Sequence, residues 1–205
     1  MSEYGYIPES PEQSFGNNKG IFNPKDIYDL TRADKYTNYG QLELIETQTV
    51  SSVSTVDFTN LGNYNVHFLT CNNLQVAVSN TRLGVRFYEN GVLETSTAYE
   101  WAYQQALQGS NAQFKETGRT SIPIQIEQPI NFGGVGYTYF YSLTDSAKFS
   151  FITNQHVRTS DGMIGEFGSG LMSQASTVTG IQVGSYDSSN YNFSASWSLY
   201  GVKFS

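Results

Sequence analysis

Cysteine is nearly absent. The 205-residue chain has one, Cys71, which excludes an internal disulfide and a cysteine-built zinc site. Charge is scarce too: Asp, Glu, Lys and Arg make up 14% of the residues, where an average globular protein has about 25%. Positive charge is the scarcer sign, with 11 Lys and Arg against 18 Asp and Glu and a net charge of −7. Such a chain lacks the basic face needed to bind a phosphate backbone or to seek anionic lipid. No apolar run approaches the roughly 20 residues of a membrane-spanning helix. Met1 to Pro8 carry no basic stretch followed by an apolar one, so no signal peptide is expected. These absences predict a soluble protein made in a cytosol, with no nucleic-acid partner and no membrane insertion.

What is abundant is aromatic and small polar. There are 15 Tyr and 13 Phe among the residues, enough apolar mass to exclude a disordered chain. Low charge with many Ser, Thr, Asn, Gly and Tyr residues fits a β protein that works by surface contact. The first 40 residues read differently from the rest. Pro8, Pro11, Gly16, Gly20 and Pro24 interrupt any periodicity and predict an extended arm. Within it, Asn23 to Leu30 has the signature of a short helical turn, with Asn23 as N-cap and Pro24 as first residue.

From Gln41 the period becomes two. Strands are predicted over Leu42 to Val50, Val53 to Phe58, Tyr64 to Thr70, Leu74 to Val78 and Arg82 to Tyr88. Asn90-Gly91 predicts a tight hairpin. Thr97 to Leu107 reads as one inserted helix stopped by Gly109, with Tyr99, Ala102, Tyr103 and Ala106 on one stripe and Ser96 or Thr97 as cap, Glu100 completing a capping box with Thr97. Strands resume over Ser121 to Glu127, where Pro123 points outward and marks an edge. They continue over Tyr137 to Tyr141, Lys148 to Val157 and Val178 to Val183. Last comes Phe193 to Tyr200, where Phe193, Ala195, Trp197 and Leu199 alternate with Ser194, Ser196, Ser198 and Tyr200. A bulge is expected at Gly201. The pattern predicts an all-β protein: a jelly-roll-like antiparallel β-sandwich over 41–205, with one short inserted helix and an extended N-terminal arm over 1–40.

Groups that do chemistry are sparse. His67 lies four residues before Cys71, so both point to one side of a regular strand, with Asp57 as a conceivable orienting acid. A small buried thiol is the better reading of Cys71. No Gly-x-Ser-x-Gly elbow is present. The histidines are not at ligand spacing, and Asp57, Asp145, Asp161, Glu166 and Asp187 fall near predicted turns, where acids serve the local backbone. Neither a metal nor a cofactor is expected, and no carboxylate pair suggests itself for glycoside hydrolysis. The residues that invite contact are tyrosines. Tyr137, Tyr139 and Tyr141 share one face of a strand, and Tyr186 and Tyr191 flank a loop.

Two segments, Gly20-Ile21-Phe22-Asn23-Pro24-Lys25-Asp26-Ile27-Tyr28-Asp29-Leu30 and Tyr39-Gly40-Gln41-Leu42-Glu43-Leu44-Ile45-Glu46-Thr47-Gln48-Thr49-Val50, resemble N-terminal segments of virion proteins of tailed phages. The likeness is greatest to phages of marine bacteria and cyanobacteria. A β-domain with Val56-Asp57-Phe58-Thr59 that closes on Ser198-Leu199-Tyr200-Gly201-Val202-Lys203-Phe204 completes it. The resemblance covers both ends, and the middle only by composition. It implies a non-enzymatic structural protein of the virion, assembled in the host cytoplasm, most often a tail fibre or fibre-like appendage. Expected partners are other tail or capsid proteins, further copies of the chain (a trimer by analogy), and a host surface glycan or protein. The arm would anchor through Phe15, Ile21, Phe22, Ile27, Tyr28 and Leu30. A capsid decoration or cement protein is the alternative, and a carbohydrate-active depolymerase a more distant one.

Overall fold

The computed structural model describes residues 13–14, 17–18, 24–33, 41–78, 81–107, 109–128, 133–159, 163–186 and 191–203. Contacts divide the chain into two compact units, Met1–Tyr39 with Ser205, and Gly40–Phe204. In the first unit, β1 (Gln13–Ser14) pairs antiparallel with β2 (Asn17–Asn18). The helix α1 (Pro24–Arg32) follows. Pro24 opens it, a position where a missing N–H costs nothing. The expected cap Asn23 lies outside the described residues. Lys25 pairs with Asp29 one turn on, at 2.6 Å. Both side chains are exposed, so the pair adds only a few tenths of a kcal/mol at most.

The second unit is an antiparallel β-sandwich. Its strands are β3 (Gln41–Val53), β4 (Thr55–Phe58), β5 (Val66–Val76), β6 (Thr81–Glu89), β7 (Val92–Leu93), β8 (Tyr99–Leu107), β9 (Ser110–Arg119), β10 (Ile122–Gln128), β11 (Gly134–Tyr141), β12 (Phe149–Thr159), β13 (Met163–Ala175), β14 (Val178–Ser185) and β15 (Phe193–Lys203). The larger sheet has eight strands in the order β3-β15-β5-β11-β12-β13-β8-β9. The smaller runs β10-β6-β14-β4, with β7 hairpinned onto β6. The chain changes sheet repeatedly, as in a jelly roll. Its first and last sandwich strands, β3 and β15, end as neighbours.

Alternation makes the core. Phe193, Ala195, Trp197 and Leu199 of β15 face inward, as their spacing predicts, and belong to one buried core with Leu69, Leu74, Phe87, Ile122, Phe140 and Ile181. On β5 the inward set is His67, Leu69 and Cys71, then Leu74 and Val76. The phase slips because one extra residue enters at Asn72-Asn73, where both neighbouring ladders shift register and Asn73 takes φ 53°. At Asn90-Gly91 both residues have positive φ, the geometry of a type I′ hairpin.

Three expectations change. The helix expected over Thr97 to Leu107 does not form; Tyr99–Leu107 is strand β8, with β13 on one side and β9 on the other. Tyr99, Trp101, Tyr103 and Gln105 point inward at period two, and two flanking ladders outweigh the helical stripe through Ala102 and Ala106. Strand β9, which carries no apolar alternation, completes the hairpin as an edge. Pro123 does lie on an edge strand, β10, but it is buried, not outward. The bulge near the end of β15 sits in its partner β3, at Ile45, between the pairs Leu199↔Glu46 and Tyr200↔Leu44. Gly201 serves another need. A Cβ there would stand 2.4 Å from the Tyr64 ring, whose hydroxyl donates to Glu43 at 2.7 Å.

Candidate contact surface

The outer face of the eight-stranded sheet gathers most of the exposed apolar residues. Register aligns them into rows across the strands. One row runs Leu42, Val202, Val66, Tyr141, Phe151, Leu171. The next runs Leu44, Tyr200, Phe68, Tyr139, Thr153, Ser169. A third holds Thr70, Tyr137, Gln155 and Phe167. Phe68 is the hub of an aromatic cluster, with ring centroids 4.6 Å from Tyr139, 5.7 Å from Tyr137 and 6.1 Å from Tyr200. Tyr139 also stacks with Tyr141 at 6.3 Å. Leu44 is 60%, Phe167 51% and Phe151 42% exposed.

Several polar groups on this face bond to one another. Tyr137 donates to Gln155 Oε1 at 2.7 Å, and the Tyr141 and Thr153 hydroxyls lie 3.3 Å apart. Thr47 meets Ser198, and Thr49 meets Ser196, each at 3.1 Å. Among the described side chains, none that faces outward from β15, β5, β11, β12 or β13 is charged. Glu100 and Lys115, on β8 and β9, stand at the far edge. Open depressions lie between β5, β11 and β12, and between β12, β13, β8 and β9, where Phe151, Thr153, Ser169 and Leu171 line the floor.

Of the tyrosines singled out in the sequence, Tyr137, Tyr139 and Tyr141 belong to this face. Tyr186 does not. It is 5% exposed, packs edge-on against Trp101 at 6.1 Å, and receives a hydrogen bond from Arg119 Nε at 3.1 Å. Strand β14 is buried along nearly its whole length, and Tyr186 continues that burial as the chain leaves it. Tyr191 is exposed just ahead of β15 but makes none of the cluster's ring contacts. In α1, Tyr28 is 64% exposed, Ile27 is exposed and Leu30 is half-buried. Phe15, Ile21 and Phe22 lie outside the described residues. The face also recruits Phe68, Tyr200, Phe149 and Phe151, whose roles the sequence left open.

The groups considered for catalysis each sit among structural partners. His67 and Cys71 do share the inner side of β5. The His67 ring bonds the Leu61 carbonyl at 2.8 Å, and burial pushes the Cys71 thiol pKa up, away from a thiolate. Asp57 accepts from the Tyr88 hydroxyl at 2.7 Å and Gln182 Nε2 at 2.8 Å on the other sheet. Asp145 serves its own turn through the Ala147 N–H. Asp161 and Asp187 lie outside the described residues. Glu166 is not at a turn; it is buried mid-strand in β13, taking a hydrogen bond from Gln105 at 2.6 Å and pairing with Arg158 at 3.4 Å. Two carboxylates that the sequence did not pair, Glu89 and Glu94, share the Gln174 amide at 2.6 and 2.8 Å. The Ser96 N–H holds the Glu94 carboxyl down to about 2, so at neutral pH it has no proton to give as a general acid. No group of three His, Cys, Asp or Glu able to hold a metal occurs among the described residues.

Neither a protein-family model nor a curated protein matches the sequence.

Proposed function

We propose that the chain is a non-enzymatic structural component of a tailed-phage virion, a tail fibre or fibre-like appendage attached through its N-terminal arm. The observation that carries this reading is the placement of the resembling segments. Tyr39 to Val50 and Ser198 to Phe204, distant in sequence, coincide largely with β3 and β15, which pair from Gln41↔Lys203 to Val53↔Phe193. The two segments are thus neighbouring strands, with β3 at the edge of the larger sheet. The arm supplies Ile27 and Tyr28, exposed on a nine-residue helix too short to be stable alone. Such a helix gains from burying its apolar residues on a neighbouring virion protein. The sandwich supplies a broad aromatic face suited to contact.

Deletion of residues 1–38 tests the anchoring role. The truncated chain is expected to remain a soluble β-domain and to be lost from assembled particles. Normal incorporation of the truncation would refute anchoring by the arm. Locating the full chain in purified particles separates tail from capsid: a decoration protein is present at far higher copy number than an appendage at the tail symmetry axis. Sugar release from purified host polysaccharide, abolished by changing one acidic residue, would replace the structural reading with a depolymerase.

A further inference from the structure

We propose that the outer face of the eight-stranded sheet is the surface on which a second copy of this chain docks. This rests on reading that face as a contact surface and holds whether or not the chain is a virion protein.

Charge is the first argument. Each copy carries a net −7, so two copies repel wherever acidic surfaces meet. Five adjacent strands of the outer face, β15, β5, β11, β12 and β13, present no charged side chain among the described residues. Identical faces meet there without like-charge contact, as self-association requires.

Area is the second. Six strands, β3 to β13 in sheet order, spaced about 4.8 Å apart span ~24 Å, and four successive outward residues span ~20 Å along each strand. The resulting ~480 Å² per copy is at the small end of specific interfaces, where association is weak and depends on concentration.

Hydrogen bonding is the third. A glycan site offers polar groups aimed away from the protein. Here Tyr137 is turned onto Gln155, Tyr141 onto Thr153, Thr47 onto Ser198 and Thr49 onto Ser196. Those groups keep their partners when water leaves, so covering them costs little. The aromatic cluster around Phe68 and the exposed Phe151, Leu42 and Leu44 then supply the apolar contact.

The test is sedimentation velocity on the full chain over a wide concentration range, with two variants at exposed positions, Phe151→Lys and Thr153→Lys. Val92→Lys, on the exposed β7 hairpin of the other sheet, is the control. The wild type and control are expected to self-associate. Each face variant should associate at least tenfold more weakly, with an unchanged far-ultraviolet circular dichroism spectrum. A wild type that stays monomeric throughout overturns the proposal. So does an assembly that survives both face variants, or one that is lost only when residues 1–38 are removed. Binding of a neutral polysaccharide by the monomer, abolished by Phe151→Lys, would assign the face to sugar instead and also overturn it. Loss of particle incorporation by the arm truncation has no bearing on these outcomes.

Discussion

His156 shows what burial does to one residue. It is fully enclosed on β12, directly opposite Glu166 in register, and neither ring nitrogen has a hydrogen-bond partner. Burial pushes its pKa from 6.5 down to about 3. The folded state therefore holds it neutral, while the unfolded chain takes up a proton below pH 6.5. Its stabilising contribution is complete above that value and is lost as pH falls, by about 1.4 kcal/mol per unit between ~6.5 and ~3. His67, lowered by burial against the opposing Leu61 hydrogen bond, acts in the same direction. Glu94 does so only below its ordinary value near 4.5. Urea unfolding at pH 7 and pH 4.5 should differ by roughly 3 kcal/mol, and His156→Gln should remove most of that difference. Equal stability at the two pH values would show that His156 is not held neutral. Tyr64 makes a steric case on the same scale. Its ring covers Gly201 so closely that Gly201→Ala has no room, with expected destabilisation of about 1–3 kcal/mol in the same assay.

At the scale of elements, β8 is where local and tertiary preferences conflict. Ala102 is exposed on its outer face, between Ser169 of β13 and Lys115 of β9. In a strand, Ala102→Thr should raise stability by several tenths of a kcal/mol, because a β-branched side chain suits a pleated surface. In a helix the same change would lower it by a similar amount. Thermal unfolding of the variant reads the sign, and a lowered melting temperature would contradict the strand. The conflict also explains what was legible in the sequence. Strand β15 could be read with its facing because its inner side is wholly apolar and its outer side mostly serine. Strand β12 could be read as a strand but not oriented: Phe149, Phe151 and Val157 face outward, while Ser150, Asn154, His156 and Arg158 face inward. Its polarity is inverted, so the aromatic face it helps build was visible only in Tyr137, Tyr139 and Tyr141. In β8, aromatics at 99, 101 and 103 satisfy period two while Ala102 and Ala106 satisfy 3.6, and only the neighbouring strands decide between them. Tyr186 looked like a loop tyrosine because nothing in the sequence places Trp101 and Arg119 around it.

For the whole molecule, the buried hydrophobic core members among the described residues all lie within 56–199. The sandwich should therefore fold and hold without the arm. Cys71 gives a direct probe, since it is the only thiol, lies 1% exposed on the inner side of β5, and is further protected by its raised pKa. A thiol reagent reaches it only when the two sheets part, so the labelling rate reports opening of the sandwich rather than fraying of an edge. In the full chain at neutral pH, labelling should be negligible without denaturant and should rise with urea in step with the loss of β-structure. In a chain lacking residues 1–38 the same curve is expected. A tenfold faster labelling of the truncation would mean that the arm contributes about 1.4 kcal/mol to holding the sheets together. That outcome would make the arm part of the sandwich's stability, and loss of particle incorporation by the truncation would then no longer isolate its anchoring role.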